Sequence, residues 1–161
     1  MYQRPEQKYV SITEAQQKME HYCAYQDRCH KEVEMKLKTM VLIPEAREQI
    51  LLHLMQENYL NEERFAKSFA RGKFRIKKWG KSRITRELKQ RAISAYNIKT
   101  ALKEIEDQEY YETFVTLSER KWESIQESVL TKKKKKWIDY LKYRGWEASL
   151  IFEKLSELTA K

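Results

Sequence analysis

Apolar residues recur along this chain with a helical spacing, and the spacing itself repeats. Val33 and Leu37, Ile84 and Leu88, and Trp137 and Leu141 are each four residues apart. That interval puts both side chains on one face of a short helix. Five residues after each of Leu37, Leu88 and Leu141 comes another apolar residue: Leu42, Ile93 and Trp146. Fourteen and seventeen residues after the same three leucines come Leu51 and Leu54, Leu102 and Ile105, and Leu155 and Leu158. The steps between corresponding leucines are 51 and 53 residues. Five aligned positions in three copies predict an internal repeat of three helices: a long first one, a short second one and a third ending in the matched apolar pair. One such unit buries little surface alone, so three are expected to stack. The expected fold is all-α, three tandem three-helix repeats in an elongated, curved array. The expected divisions are a tail at 1–12 and repeats at 13–60, 61–109 and 110–161.

Local signals punctuate this pattern. Thr13-Glu14-Ala15-Gln16 fits a capping box and predicts a helix from Glu14 to about Asp27. Pro44 suits the first position of a third helix, where its missing N–H costs nothing. Asn61, Ser82 and Ser94 are candidate caps in the middle repeat. Gly72, Gly80 and Gly145 read as helix punctuation. Three Gly and two Pro in 161 residues leave few tight turns for a sandwich or barrel.

Composition agrees with a folded domain: 41% of residues are hydrophobic and 35% charged. No stretch approaches the roughly 20 apolar residues that span a bilayer. Residues 1–10 are polar and lack the apolar core of a secretory signal. The expected location is therefore cytoplasmic, with Cys23 and Cys29 as reduced thiols.

Charge changes the picture more. The formal net charge is +9, which favours an acidic partner such as nucleic acid, a nucleoprotein or an anionic surface. Between Arg64 and Arg91 there are twelve Lys or Arg and one acid, Glu87. On a helix capped by Asn61, with Glu62 and Glu63 at its positive end, Phe65, Phe69, Gly72 and Ile76 share an arc of roughly 60°. Arg64, Lys67, Arg71, Arg75 and Lys78 share another of about 80°. The first stripe is expected to pack and the second to face out, as a basic row about 21 Å long. Like charges one turn apart each cost a few tenths of a kcal/mol, and nothing in the local sequence neutralises them. A polyanionic or acidic partner explains such a row better than a solvated face does. The candidate contact residues are Arg64, Lys67, Arg71, Lys73, Arg75, Lys77, Lys78, Lys81, Arg83 and Arg86. Lys132–Lys136 form a second run, read as a solvated or partly disordered connection at least as readily as a contact surface. Lys142 and Arg144 extend its charge.

Other chemistry finds no support in the spacing. His21, Cys23, Cys29 and His30 lack the intervals of a zinc site or of a Cys–His nucleophile pair, and read as ordinary helix residues. There is no P-loop or paired-carboxylate motif. No cofactor, metal or catalytic group is expected. Phe74 and Trp79 could stack on bases, but packing between helices is favoured. Tyr110, Tyr111 and Phe114 are expected to pack the first helix of the third repeat.

The run Tyr59-Leu60-Asn61-Glu62-Glu63-Arg64-Phe65-Ala66, followed by Phe69, Arg71, Gly80, Arg83-Ile84 and Glu87-Leu88, resembles the RecX family pattern over more than thirty positions. In the first repeat, Arg28-Cys29, Glu32-Val33 and Lys36-Leu37 resemble another family segment, with Cys29 where Ser is more usual. Ala92 stands where many relatives have Gly, which implies a slightly different helix exit. The first repeat also lacks a Gly after Lys38. The resemblance implies tandem three-helix repeats and a non-enzymatic modulator of the RecA recombinase. It implies binding to the RecA–DNA filament and inhibition of its ATP hydrolysis and strand exchange, or promotion of its disassembly, in DNA repair, recombination and the SOS response. A stand-alone basic DNA-binding or architectural protein, touching single- or double-stranded DNA, is the alternative. No membrane partner is expected, and a monomer is the default state.

Overall fold

A computed structural model describes residues 10–160; residues 1–9 of the expected tail lie outside the described residues, and α1 begins at its last position, Ile12. Nine α-helices and no β-strand occur among them: α1 (Ile12–Tyr25), α2 (His30–Lys38), α3 (Pro44–Gln56), α4 (Glu62–Lys77), α5 (Lys81–Gln90), α6 (Ala95–Leu102), α7 (Asp107–Ser124), α8 (Leu130–Tyr143) and α9 (Ala148–Thr159). The all-α helical-repeat reading is therefore correct. The chain divides into two compact units. One ends at Phe65 and takes in Arg91–Ile93; the other comprises Ala66–Gln90 and the chain from Ser94 onward.

In the first unit α1, α2 and α3 pack on one another. Ala15, Met19, Cys23, Val33, Leu37, Ile50, Leu54 and Leu60 form the core. Each Val, Leu, Ile or Met side chain among them contributes about 1.5–3 kcal/mol by leaving water. Pro44 occupies the start of α3 as expected. The N-cap of α1, however, is Ser11, whose Oγ accepts from the Glu14 N–H at 3.1 Å. The expected Thr13 cap is displaced because Ser11-x-x-Glu14 has the capping-box spacing two residues earlier. The helix ends at Tyr25, short of Asp27, and Gln26 turns extended.

Both thiols are free and buried. Burial pushes the Cys23 and Cys29 pKa values up, so neither is a ready nucleophile. His21 is exposed, and no metal-binding cluster occurs among the described residues.

In the second unit the repeated apolar pairs are buried: Ile84, Leu88, Trp137 and Leu141 are fully enclosed. Trp137 donates to the Ser118 carbonyl at 2.8 Å and meets Trp122 edge-on. Ser94 caps α6 through the Asn97 N–H. Ser82 does not cap α5. The helix begins at Lys81, and the Ser82 N–H is taken by the Gly145 carbonyl at 3.1 Å. Tyr110 and Phe114 pack around Trp146, but Tyr111 is half exposed. The lysine run 132–136 is not a connection: it forms the first turns of α8. Lys133 lies over Trp122 at 4.3 Å, Lys135 pairs with Asp139 and Lys136 with Glu127.

Two glycines hold the turn after α4 against the turn after α8. A Cβ on Gly80 would run into the Gly145 carbonyl, and one on Gly145 into the Arg83 backbone and Cβ. Gly145 has φ +88 and closes α8, with N–H bonds from Gly145 to Lys142 and from Trp146 to Leu141. Ala92 adopts φ +58. The alanine thus takes a left-handed conformation that favours glycine.

Candidate functional site

The basic helix α4 starts as its sequence indicates. Asn61 Oδ1 accepts from the Arg64 N–H at 2.9 Å, and Glu62 and Glu63 occupy the first turn. Its buried face is Phe65, Ala66, Ala70 and Phe74, not the expected Phe65–Phe69–Gly72–Ile76 arc. Ile76 is 79% exposed, and a Cβ on Gly72 would meet nothing. Phe74 supplies bulk against Tyr110, 5.8 Å between ring centroids. Phe74 is thus a packing residue.

The cations of the row have different surroundings. Arg64, in the first unit, donates through Nε to Asp27 at 2.7 Å and through its other nitrogens to the Asn58 and Tyr59 carbonyls at 3.0 and 3.1 Å. That is a clamp on its own fold. In the second unit, Lys67 and Arg71 both reach Glu104, at 3.7 and 3.2 Å. Lys81 reaches Asp107 at 3.6 Å and lies 4.6 Å from the Tyr110 ring centre. Arg83 lies over the rings of Trp79 and Tyr143, at 4.1 and 4.6 Å, and donates to the Tyr143 carbonyl. Lys73 lies over Phe69 and Trp79, so Trp79 serves as a platform for cations.

Part of the row is thus neutralised, by acids in the α6–α7 connection that lie some thirty residues away in sequence. Five acids fall between Glu104 and Glu112; that cluster was the signal for this pairing. Arg75 remains 60% exposed, with only a long 3.9 Å approach to Glu109. Lys77 and Arg86 are exposed and have no acidic partner among the described residues. Lys78 is exposed but leaves the row, because α4 ends at Lys77 and Lys78 takes φ +57.

The exposed end is held firmly. Arg144 donates to the Lys77 carbonyl, and Trp146 Nε1 to the Lys78 carbonyl at 3.1 Å. The Gly80 N–H donates to the Arg144 carbonyl at 2.7 Å. Beneath this turn the Tyr110 hydroxyl accepts from the Lys81 N–H at 2.9 Å and donates to Glu147. Burial and the Glu147 carboxylate together raise the Tyr110 pKa, so the phenol stays protonated and able to donate.

Residues 61–102, which include all of these cations, match the family model "RecX, second three-helix domain". Over this segment the chain is similar to the RecX family. The regulatory protein RecX of Lactobacillus gasseri is 36% identical over 89 residues, 55% of this chain and 33% of that protein. That of Bacillus cytotoxicus is 26% identical over 137 residues, 85% of this chain and 51% of that protein. The chain thus spans a third to about half the length of these curated relatives. The crystal structure of RecX from Lactobacillus salivarius has a TM-score of 0.79 at 24% identity, covering 93% of this chain and 97% of that one. Likeness at that identity shows the fold. No described helix is long and apolar enough to cross a membrane.

Proposed function

We propose that this chain is a non-enzymatic, cytoplasmic, monomeric regulator of the RecX kind that binds the RecA–DNA filament and inhibits its ATP hydrolysis and strand exchange. The observation that carries the reading is a coincidence of place. The segment that matches the RecX second three-helix domain is also the most basic part of the chain. Within it, Arg75, Lys77 and Lys78 are exposed at an anchored turn and Arg86 is exposed on α5; charges on a fixed backbone favour recognition of an acidic surface. Lys67, Arg71, Lys73, Lys81 and Arg83 support the second unit through their ion pairs and ring contacts, and Arg64 holds the first unit. Repeats at 13–60, 61–109 and 110–161 are the units in which the chain is proposed to meet its partner.

The double substitution Arg75→Glu, Lys77→Glu tests the site. It is expected to weaken inhibition of single-strand-DNA-dependent ATP hydrolysis by RecA at least about tenfold, as loss of rim and core charges does in other interfaces, with helicity unchanged. Undiminished inhibition by the folded variant would remove these residues from the site.

The same exposed cations support a second reading, DNA binding without recombinase. It requires tight duplex or single-strand binding with log–log salt slopes near −0.9 or −0.7 per phosphate neutralised, respectively. Weak binding at physiological salt would reject it.

A further inference from the structure

The first unit contains an open groove of about 590 Å³, lined by Lys18, His21, Tyr22 and Tyr25 of α1, Arg28 and Lys36 among others. No carboxylate is among its lining residues within the described part of the chain. Lys18, His21, Tyr22 and Tyr25 are three, four and seven positions apart and so share one face of α1. Arg28 forms a fixed floor: its guanidinium lies 3.8 Å from the Tyr22 ring centre, its Nε donates to the Tyr22 carbonyl at 3.1 Å, and it approaches Glu32 at 3.7 Å. Lys36 Nζ approaches the same ring at 5.7 Å. The rim is free by contrast. Tyr25 is 78% exposed, Lys36 is exposed, and Lys18 has only a 4.0 Å contact with Glu14.

From this geometry we infer that the groove binds a nucleotide unit, with the phosphate among Lys18, Lys36 and Arg28 and the base on the exposed ring of Tyr25. Cations around an open groove attract any polyanion, but an uncovered aromatic face beside them suits a ligand with a π-face of its own. An acidic peptide would use the lysines and leave Tyr25 idle. The site shares no residue with the cations of α4, so it stands whether or not those meet a recombinase. A single strand and a free mononucleotide present the same chemistry, and the open groove admits either.

Anisotropy of a fluorescein-labelled oligothymidylate, titrated with the full chain, tests the site. Tyr25→Ala is expected to weaken binding about tenfold, in the range of one lost base stack. Lys36→Glu is expected to weaken it comparably and to lower the salt slope by roughly one phosphate or more. Both positions are exposed on helices, and circular dichroism verifies that the variants fold. On an Arg75→Glu, Lys77→Glu background the tenfold effect of Tyr25→Ala persists, which separates this groove from the α4 cations. Unlabelled dTMP that competes as well as the strand, per nucleotide, assigns the site to a free nucleotide; a much stronger strand assigns it to nucleic acid. Wild-type binding by both groove variants, no binding by the wild-type chain, or equal displacement by polyglutamate would overturn the inference.

Discussion

The two ends of α4 carry the same kind of charge and use it in opposite ways. At the start, Arg64 is tied to one carboxylate and two carbonyls, all from the first unit. At the end, Arg75 and Lys77 project while other groups hold the backbone beneath them: Arg144 and Trp146 bind the carbonyls of Lys77 and Lys78. Charge density therefore does not measure availability. A cation whose donors are satisfied within its own fold contributes stability, whereas an exposed cation on a fixed backbone is free to contribute recognition.

The difference can be broken from either side. Gly145→Ala should have the largest effect, because it strains φ +88 and drives a methyl into Arg83 at the anchored end. A loss of about 3 kcal/mol is expected, read as a lower thermal midpoint. A melt unchanged from wild type would mean that the glycine contact is dispensable. Arg64→Ala should follow at about 2 kcal/mol, since it leaves Asp27 and two carbonyls without their charged donor. At roughly 2–4 °C per kcal/mol for a chain of this size, differential scanning calorimetry resolves it. Ala92→Gly should stabilise by about 1 kcal/mol by relieving φ +58, shown by a higher urea midpoint. Arg75→Glu with Lys77→Glu should hardly alter the melt, in contrast to Arg64→Ala. A large destabilisation there would erase the distinction between the two ends.

Local features of the fold were legible in the chain. Pro44, Asn61 and Ser94 each act within one helical turn, and the pairs Val33–Leu37, Ile84–Leu88 and Trp137–Leu141 need only helical periodicity to be read as core. The face of α4 was less legible because apolar residues occur on two sides of it. Choosing Phe74 over Ile76 depends on Tyr110, more than thirty residues away, although the Ala66–Ala70–Phe74 spacing hinted at the answer. The pairing of Lys67 and Arg71 with Glu104 was hidden for the same reason: helical spacing describes one element at a time. Gly80 and Gly145 looked like punctuation, and only the meeting of their two turns explains why neither tolerates a Cβ.

The most direct test of the proposed function is single-strand-DNA-dependent ATP hydrolysis by RecA, measured with increasing amounts of this chain. The account predicts strong inhibition at well under one chain per recombinase subunit, lost in the Arg75→Glu, Lys77→Glu variant and kept in folded controls. No inhibition by the folded wild-type chain would contradict it and leave a basic DNA-binding module as the better explanation.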